Sequence, residues 1–251
     1  MFKENVEKQN DKCVVSTGSG KKRKYVEISP DAKDGENLVK STACFTPEYN
    51  RLQDRTVWFI YGASGCGKST LIKSIVESYV RLDKKNKERV FLISAKPEDP
   101  TLDSLKYIKR LNLAKIAEIP FELSKDLKDS LFIMDDTEAI SDEAQKNAVY
   151  FGMLKKILEL GRSYKINCCI SSHLPNHKFN KLCIFECHYL YTFLNSGSWY
   201  HHEYILTNYA GVDKKELKKL KKKDSRWCGF HKSHPNFYIT QHEVGKIGGE
   251  D

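Results

Sequence analysis

Short apolar runs alternate with amphipathic stretches along the chain from about residue 55. Runs of four to six apolar residues predict strands buried on both faces, and apolar side chains spaced three and four apart predict helices. The predicted strands lie at 56–61, 89–93, 131–134 and 166–171. The predicted helices lie at 68–79, at 105–111, and from an N-cap at Ser141 to about Gly161. We therefore expect an α/β domain with a mainly parallel sheet and helices on both faces.

The region after Pro175 has shorter and more mixed patterns, which continue the same sheet. Its predicted elements are a strand at 182–193, a helix at 199–209, a short basic helix at 214–223, and strands at 227–232 and 237–240.

By composition the chain divides into a polar segment at 1–41, the α/β domain at 42–242 with a basic portion at 213–232, and a tail at 243–251. The first segment holds few large apolar side chains, so we expect it to be loosely ordered. Its run of cations at 21–24 predicts either a nuclear-targeting or nucleic-acid-binding patch, or a solvated run of charge.

Length and composition fit one intracellular domain. The chain has 251 residues, 40% of them hydrophobic, which is enough for a core. Its net charge of +9 favours an anionic partner such as nucleic acid. The sequence has no run of about 18 apolar residues and no apolar stretch near Met1, so we expect neither a transmembrane helix nor a signal peptide. The eight cysteines lack CxxC pairs, and we expect no disulfides; Cys168 and Cys169 should be buried.

A complete P-loop follows the strand predicted at 56–61. The match to GxxxxGK[ST] lies between a strand and a helix, which is the context that this motif requires. The glycines let backbone N–H groups wrap phosphates, the lysine neutralises the β- and γ-phosphates, and the serine hydroxyl binds Mg²⁺. We expect Ser69 to bind the metal and Thr70 to pack against or cap the helix. The predicted cofactors are ATP and Mg²⁺, and the predicted nucleotide-binding residues are Gly62, Ala63, Ser64, Gly65, Cys66, Gly67, Lys68, Ser69 and Thr70.

Two carboxylates end the apolar run at 131–134. A P-loop magnesium site needs an acidic residue at the end of a neighbouring strand, and Asp135 is placed to hold the metal through water. Asp136 is the candidate to orient or deprotonate the attacking water. The alternative is a strand that ends in a solvated pair of aspartates. A second carboxylate favours hydrolysis over phosphate transfer to a small acceptor.

Polar residues also end the strand predicted at 166–171. In additional-strand P-loop ATPases, a polar residue here senses the γ-phosphate; His173 is the first candidate and Ser172 the second. A structural histidine is the alternative. Arg162 precedes this strand, and its guanidinium suits bidentate binding of phosphate. An arginine that completes a helix C-terminus is an equal alternative from spacing alone.

The order of these motifs resembles the FtsK–HerA superfamily of DNA-pumping ATPases. More narrowly, the chain looks like the genome-packaging ATPases of poxviruses, other large DNA viruses and virophages. The resemblance spans about 55–242 and is carried by the P-loop, the acidic strand, and the blocks LELGR at 158–162, SSHLP at 171–175, TNYAGVDKK at 207–215 and SRW at 225–227.

The resemblance implies an ATP-driven translocase of double-stranded DNA that packages a viral genome into a preformed capsid. It implies a homo-oligomeric ring, a pentamer or hexamer, in which Arg162 reaches a neighbour's γ-phosphate. It also implies the host cytoplasm (the viral factory) or the virion as location. A capsid or inner-membrane protein at the packaging vertex is a further expected partner. Bacterial relatives carry glutamine where this chain has His173.

Nine cations lie in the basic portion at 213–232, against three acidic residues. Phosphates attract such a cluster without sequence selectivity, which suits a motor that moves along any DNA. A solvated helix face is the alternative, and the segment could instead dock on a capsid or membrane protein. The DNA-binding candidates are Lys218, Lys219, Lys221, Lys222 and Lys223.

Two other function classes stay open from the sequence. A P-loop nucleotide or small-molecule kinase needs an arginine-rich lid, and no such segment follows the strand predicted at 166–171. A nucleotide-gated assembly factor without catalysis is disfavoured by the intact Lys68, Ser69, Asp135 and Asp136.

Overall fold

The computed structural model describes residues 2–28, 37–51, 54–118 and 122–248. Its strands are β1 (Phe2–Val6), β2 (Cys13–Thr17), β3 (Lys24–Ile28), β4 (Leu38–Lys40), β5 (Thr46–Pro47), β6 (Val57–Tyr61), β7 (Val90–Ser94), β8 (Lys109–Arg110), β9 (Leu131–Asp135), β10 (Asn167–Ser172), β11 (Tyr189–Thr192), β12 (Cys228–His231), β13 (Phe237–Thr240) and β14 (Glu243–Lys246). Its helices are α1 (Lys68–Leu82), α2 (Leu113–Glu118), α3 (Glu143–Asn147), α4 (Lys155–Leu160), α5 (Asn180–Glu186), α6 (Trp199–Ala210) and α7 (Lys214–Lys221). Wider π-helical turns occupy Leu123–Leu127 and Ala148–Leu154, and 3₁₀ turns occupy Gly20–Lys22, Lys84–Arg89 and Thr137–Ala139.

A mixed sheet of ten strands forms the centre of the molecule, in the order β4-β14-β13-β12-β11-β6-β10-β9-β7-β8. The pairs from β11 through β6, β10, β9 and β7 to β8 are parallel, and the pairs from β11 to β4 are antiparallel. Strand β10 lies between β6 and β9, so one strand separates the P-loop strand from the acidic strand. The predicted fold, a P-loop domain of the additional-strand type, is confirmed.

Two apolar cores cover the faces of this sheet because its strands alternate their side chains between them. On β6, Phe59 contacts the core formed with α4 to α7, whereas Trp58 and Ile60 contact the core formed with α1 and the N-terminal strands. Cys168 and Cys169 alternate in the same way on β10, both fully buried. All eight cysteines are free, as the sequence predicted.

The N-terminal segment predicted as loosely ordered instead forms strands in its described residues. Strands β1, β3, β2 and β5 make a separate antiparallel sheet against α1. Its few apolar side chains are concentrated on the face that meets the core of α1, among them Val14, Val15 and Val26. Polar groups complete the contact, since buried Glu48 pairs with Arg23 and with Arg81 of α1.

Two strands of the central sheet lie outside the bounds predicted for the α/β domain, 42–242. Strand β4 lies within the segment predicted at 1–41, and β14 lies within the tail predicted at 243–251. The two pair with each other and extend the antiparallel half of the sheet through β13. Composition did not reveal them because they are short, with three and four residues.

Three predicted elements differ in kind or detail. The helix predicted at 105–111 is a series of turns ending in β8, which pairs with β7 at the sheet edge. The strand predicted at 182–193 is α5 followed by β11. The helix predicted from Ser141 begins at Glu143, because the side chain of Asp142 caps it by accepting a hydrogen bond from the backbone N–H of Gln145 at 2.7 Å.

Candidate nucleotide-binding and catalytic site

The P-loop closes around the N-terminus of α1. Gly67 has a φ of +117°, a conformation that L side chains rarely adopt. Gly62 lies so close to the ring of Phe193 that a Cβ there would approach it to 2.8 Å. Lys68 is 6% exposed and donates hydrogen bonds to the carbonyls of Gly62 at 3.0 Å and Ala63 at 3.2 Å. The turn and the lysine therefore have the geometry that phosphate binding requires.

Thr70 is exposed and lines the cleft, so the packing role predicted for it is wrong.

Asp135 ends β9 inside the protein, only 1% exposed. Its Oδ1 accepts a hydrogen bond from Ser171 Oγ at 2.5 Å, whereas its Oδ2 is buried without a hydrogen-bond partner in the described residues. Burial raises the pKa of the Asp135 carboxyl against the lowering effect of Ser171, and the charge of Asp136 raises it further. A buried carboxylate oxygen without a partner is unfavourable unless a cation or a donor meets it.

The residues around Asp135 fit a magnesium ion. The charge of Asp99 acts on Asp135, and the Oδ2 of Asp99 accepts a hydrogen bond from Ser69 Oγ at 3.0 Å, so a second carboxylate and a hydroxyl are linked to the same cleft. Mg²⁺ prefers oxygen ligands and is commonly held by one or two protein groups together with phosphates and waters. The free Oδ2 of Asp135 supplies an acceptor of that kind. Ser69, Asp135 and Asp99 are therefore the side chains that would hold the ion.

Asp136 lies at the centre of a network of charged and polar side chains. It has a φ of +50° and is 2% exposed, and its carboxylate contacts Lys96 Nζ through Oδ2 and lies 2.8 Å from His173 Nε2 through Oδ1. Burial alone would raise the pKa of Asp136, but the hydrogen bond from Lys96 and the surrounding positive charge lower it. Asp136 is thus held ionised, as a group that accepts a proton must be.

His173 connects Lys68 to Asp136. Its Nδ1 lies 3.0 Å from Lys68 Nζ, which can only donate, so Nδ1 is the acceptor and the ring proton is on Nε2, facing Asp136. Ser172 is fully buried, and its hydroxyl is hydrogen-bonded to Glu138 at 3.0 Å and to Asn180 at 2.8 Å. Of the two sensor candidates, the structure places His173 in the cleft and Ser172 beneath it.

Arg162 lies at the other end of the parallel strands, where their amino ends meet. It precedes the amino end of β10 and pairs at the surface with Asp54, which precedes β6, at 3.0 Å. A strand of six residues spans about 20 Å, so Arg162 is remote from its own P-loop. The preceding Gly161 has a structural role: a Cβ there would come within 2.8 Å of Arg55, whose guanidinium donates to the last carbonyls of α4.

The basic portion forms α7, with Leu217 and Leu220 buried. Its exposed cations Lys218, Lys219, Lys221 and Lys222 lie on the outer side, and Lys221 also lies over the ring of Trp199 at 4.5 Å. Lys223, the fifth DNA-binding candidate, forms an ion pair with Glu243 and belongs to a different contact.

Sequence reasoning missed three side chains of this site: Lys96, Asp99 and Glu138. Lys96 contacts Asp136, Asp99 contacts Ser69, and Glu138 accepts from the backbone N–H of His173 at 2.5 Å. One signal was available: the first two follow β7, whose carboxyl end lies at the same sheet edge as those of β9 and β10.

Strand order, P-loop and acidic strand together define a P-loop NTPase fold of the additional-strand type. No protein-family model matches the sequence. The Sputnik virophage protein "Uncharacterized protein V3" is 32% identical over 248 residues, covering 94% of this chain and 96% of its own. The chain belongs to the family that this virophage protein represents, which confirms the relationship inferred from the motifs.

A solved structure supports the fold. The pCW3 conjugation coupling protein TcpA, in its monomer form with ATPγS, is 14% identical with a TM-score of 0.51, covering 91% of this chain and 75% of its own. The genome-packaging NTPase B204 from Sulfolobus turreted icosahedral virus 2, with ATPγS, is 12% identical with a TM-score of 0.45, covering 78% and 99%. Among the described residues, every helix is too short or too polar to cross a bilayer.

Proposed function

We propose that the protein is an ATPase that moves double-stranded DNA and packages a viral genome into a preformed capsid. The observation that carries the proposal is the convergence of Lys68, Asp135, Asp136 and His173 at one end of three parallel strands. The virophage relative and the motif resemblance supply the viral setting, with the viral factory or the virion as location.

The side chains divide the hydrolytic step between them. Lys68 neutralises the β- and γ-phosphates, and Ser69 and Asp135 would hold Mg²⁺, which would supply further neutralisation of phosphate charge. Asp136 accepts a proton from the water whose oxygen attacks the γ-phosphorus, and the bond to the leaving ADP oxygen breaks. His173 lies between the two groups, with Nε2 2.8 Å from Asp136 Oδ1 and Nδ1 3.0 Å from the Lys68 ammonium, so it can couple the state of the phosphate to the base.

Arg162 acts on a neighbouring copy in this proposal. Its position beyond the amino end of β10 separates it from its own cleft by the length of the strand, and its side chain is 65% exposed. A ring, a pentamer or hexamer, lets each Arg162 complete the next P-loop. The cations of α7 then hold DNA by its phosphates without reading sequence, and a capsid or inner-membrane protein anchors the ring at the packaging vertex.

DNA-stimulated ATPase activity tests the proposal. We expect phosphate release from ATP·Mg²⁺ that rises several-fold with linear double-stranded DNA of unrelated sequences. The matched control is Lys68→Ala protein, which should release no phosphate with or without DNA. ATP turnover that ignores DNA would favour a kinase and contradict translocation. Negligible turnover under both conditions would favour an assembly factor.

A further inference from the structure

A second cleft adjoins the P-loop on the side away from Asp136. Its volume is about 450 Å³, and Ser64, Gly65 and Cys66 form one wall while the segment from Lys223 to Arg226 forms the other. The catalytic cleft is also lined by Ser64 and Gly65, so the two clefts meet over the P-loop. The motif analysis singled out Ser225 and Arg226, but the catalytic residues described above leave them without a role.

Arg226 contacts the P-loop from a segment that is held in place by hydrogen bonds to Gln241. Its backbone N–H donates to Gln241 Oε1 at 2.6 Å, and the backbone N–H of Gln241 donates to Ser225 Oγ at 3.0 Å. Its side chain extends to Cys66, where Nη2 donates to the carbonyl oxygen at 3.4 Å. A guanidinium has five N–H donors, and this long contact engages one of them. The side chain of Arg226 is exposed, so its role is not to fill a core.

Charge in the cleft points to an anionic and hydroxylated ligand. Lys223 is held by Glu243, with 2.6 Å between Nζ and Oε2, so the cation that faces the P-loop is Arg226. Asp224 supplies a carboxylate on the same wall. A guanidinium binds phosphate and a carboxylate accepts from sugar hydroxyl groups, and a nucleotide carries both groups next to each other.

The direction of the nucleotide follows from the sheet order. Asp135, Asp136 and His173 fix the γ-phosphate end on the side of β9 and β10. The phosphates cross the N-terminus of α1, so the nucleoside leaves on the other side of β6, towards β11 and β12. The second cleft lies there, since Phe193 and Asn195 follow β11 and Arg226 precedes β12.

We propose that this second cleft binds the ribose and α-phosphate of the nucleotide, and that Arg226 is its phosphate-binding side chain. The proposal rests on the proposed ATPase function, since it takes ATP at the P-loop as given. Arg226 binds the part of the nucleotide that ATP and ADP share, whereas Lys68 binds the β- and γ-phosphates.

Three ligands separate these contacts: ATP, ADP and inorganic pyrophosphate, each with Mg²⁺ and without DNA, titrated by calorimetry into the full-length chain. Arg226→Ala should weaken ATP and ADP about tenfold or more, because a charged hydrogen-bonding partner is lost. It should leave pyrophosphate affinity within about twofold, because this anion matches the β- and γ-phosphates and carries neither the α-phosphate nor the nucleoside. Arg226→Lys should recover part of the loss, since it keeps the charge without the fork. Lys246→Ala, which removes an exposed cation far from the cleft, should bind all three ligands normally.

Unchanged ATP and ADP affinity in Arg226→Ala, or an equal loss for pyrophosphate, would overturn the assignment of Arg226 to the α-phosphate. The second result would make Arg226 a brace of the P-loop or a general phosphate cation. Arg226→Lys decides the matter if the alanine variant fails to fold. Failure of the proposed function is visible separately, because a kinase or an assembly factor would still bind ATP and ADP but would show no DNA-stimulated release of phosphate.

Discussion

The two edges of the central sheet differ in how their functional side chains are held. At the carboxyl edge, Asp135 and Asp136 are 1% and 2% exposed, and each has defined partners. At the amino edge, the side chain of Arg162 is 65% exposed and, among the described residues, forms an ion pair with Asp54, which is 58% exposed. The carboxyl edge is an assembled site within one chain, whereas the amino edge is a surface on which Arg162 is accessible to another molecule.

Asp135 and Asp136 are placed to act on a nucleotide bound to their own chain, whereas Arg162 can reach only a nucleotide bound to another copy. A surface ion pair such as Arg162–Asp54 contributes little to stability, about 0.2–1 kcal/mol. If Arg162 serves catalysis, its substrate must belong to another copy. The first test therefore asks whether Arg162 is needed for hydrolysis although it lies far from the P-loop of its own chain.

Arg162→Ala has the largest expected effect. The variant should bind ATP almost normally and hydrolyse it about 10³-fold or more slowly, since an arginine finger stabilises charge in the transition state. Binding by calorimetry and turnover by phosphate release measure the two quantities. Lys156→Ala, which removes an exposed cation on the neighbouring helix α4, is the matched control and should be unaffected.

Mixing decides between action within and between chains. Arg162→Ala protein has an intact P-loop, and Lys68→Ala protein has an intact Arg162, so each is inactive alone. Mixed rings contain interfaces that join the two intact parts, and activity should partly return. A pull-down must first show that the two variants assemble together. If ATPase activity then does not return, Arg162 has no role beyond its surface ion pair, and the case for a ring is weakened.

Asp136→Asn probes the carboxyl edge with the next largest effect. Asparagine keeps the size of the side chain and also tolerates the left-handed backbone at this position, but it cannot accept the proton. We expect ATP binding to be retained and hydrolysis to fall about 10²–10⁴-fold. Single-turnover measurements separate chemistry from product release. Hydrolysis above about a tenth of the wild-type rate would reassign the proton acceptor.

The carboxyl edge was largely predictable from the sequence because its residues follow strands. Asp135, Asp136 and His173 each follow the apolar part of a strand, Lys68 belongs to the P-loop that follows β6, and parallel strands bring such ends together. Lys96 and Asp99 also follow a strand, but no motif marks them, and their partners come from other strands. The left-handed backbone of Asp136 and the tautomer of His173 depend on those contacts and were beyond prediction.

The outer parts of the fold were less predictable for a different reason. Strands β1 to β4 hold too few apolar residues to be recognised by pattern, and they are ordered by contacts with α1 and with β14. Arg23 looked like part of a solvated basic run, yet it pairs with buried Glu48. Such elements are determined by tertiary partners that are distant in sequence.

The third prediction concerns the exposed lysines of α7. Replacing Lys218, Lys219, Lys221 and Lys222 with glutamine should weaken DNA binding and reduce the slope of log affinity against log salt by up to about 0.9 per lost phosphate contact. Basal ATPase should persist. The control replaces Lys84, Lys85 and Lys87, three cations next to the C-terminus of α1, with glutamine. An unchanged salt slope in the α7 variant, measured by fluorescence anisotropy, would move the DNA path to another surface.

Lys96→Met should produce the smallest change, a shift in pH dependence. The Asp136 carboxylate must be ionised to accept a proton, and Lys96 contributes to its lowered pKa. Removal of this ammonium leaves burial to raise the pKa, so the Asp136 carboxyl is protonated at a higher pH than in wild-type protein. The acid limb of the kcat profile should therefore move to higher pH, while kcat on the alkaline side of that limb changes less.

The shift distinguishes an electrostatic role of Lys96 from a structural one. Lys96 is 48% exposed, so methionine can replace its stem without opening a cavity. Loss of folding stability would lower activity in the same proportion at every pH, whereas loss of the charge moves only the acid limb. Lys115→Met removes an exposed cation of α2 and should retain the wild-type profile. An acid limb that stays in place in Lys96→Met would show that His173 and Lys68 hold Asp136 ionised without Lys96, and the ion pair would then have no part in tuning the base.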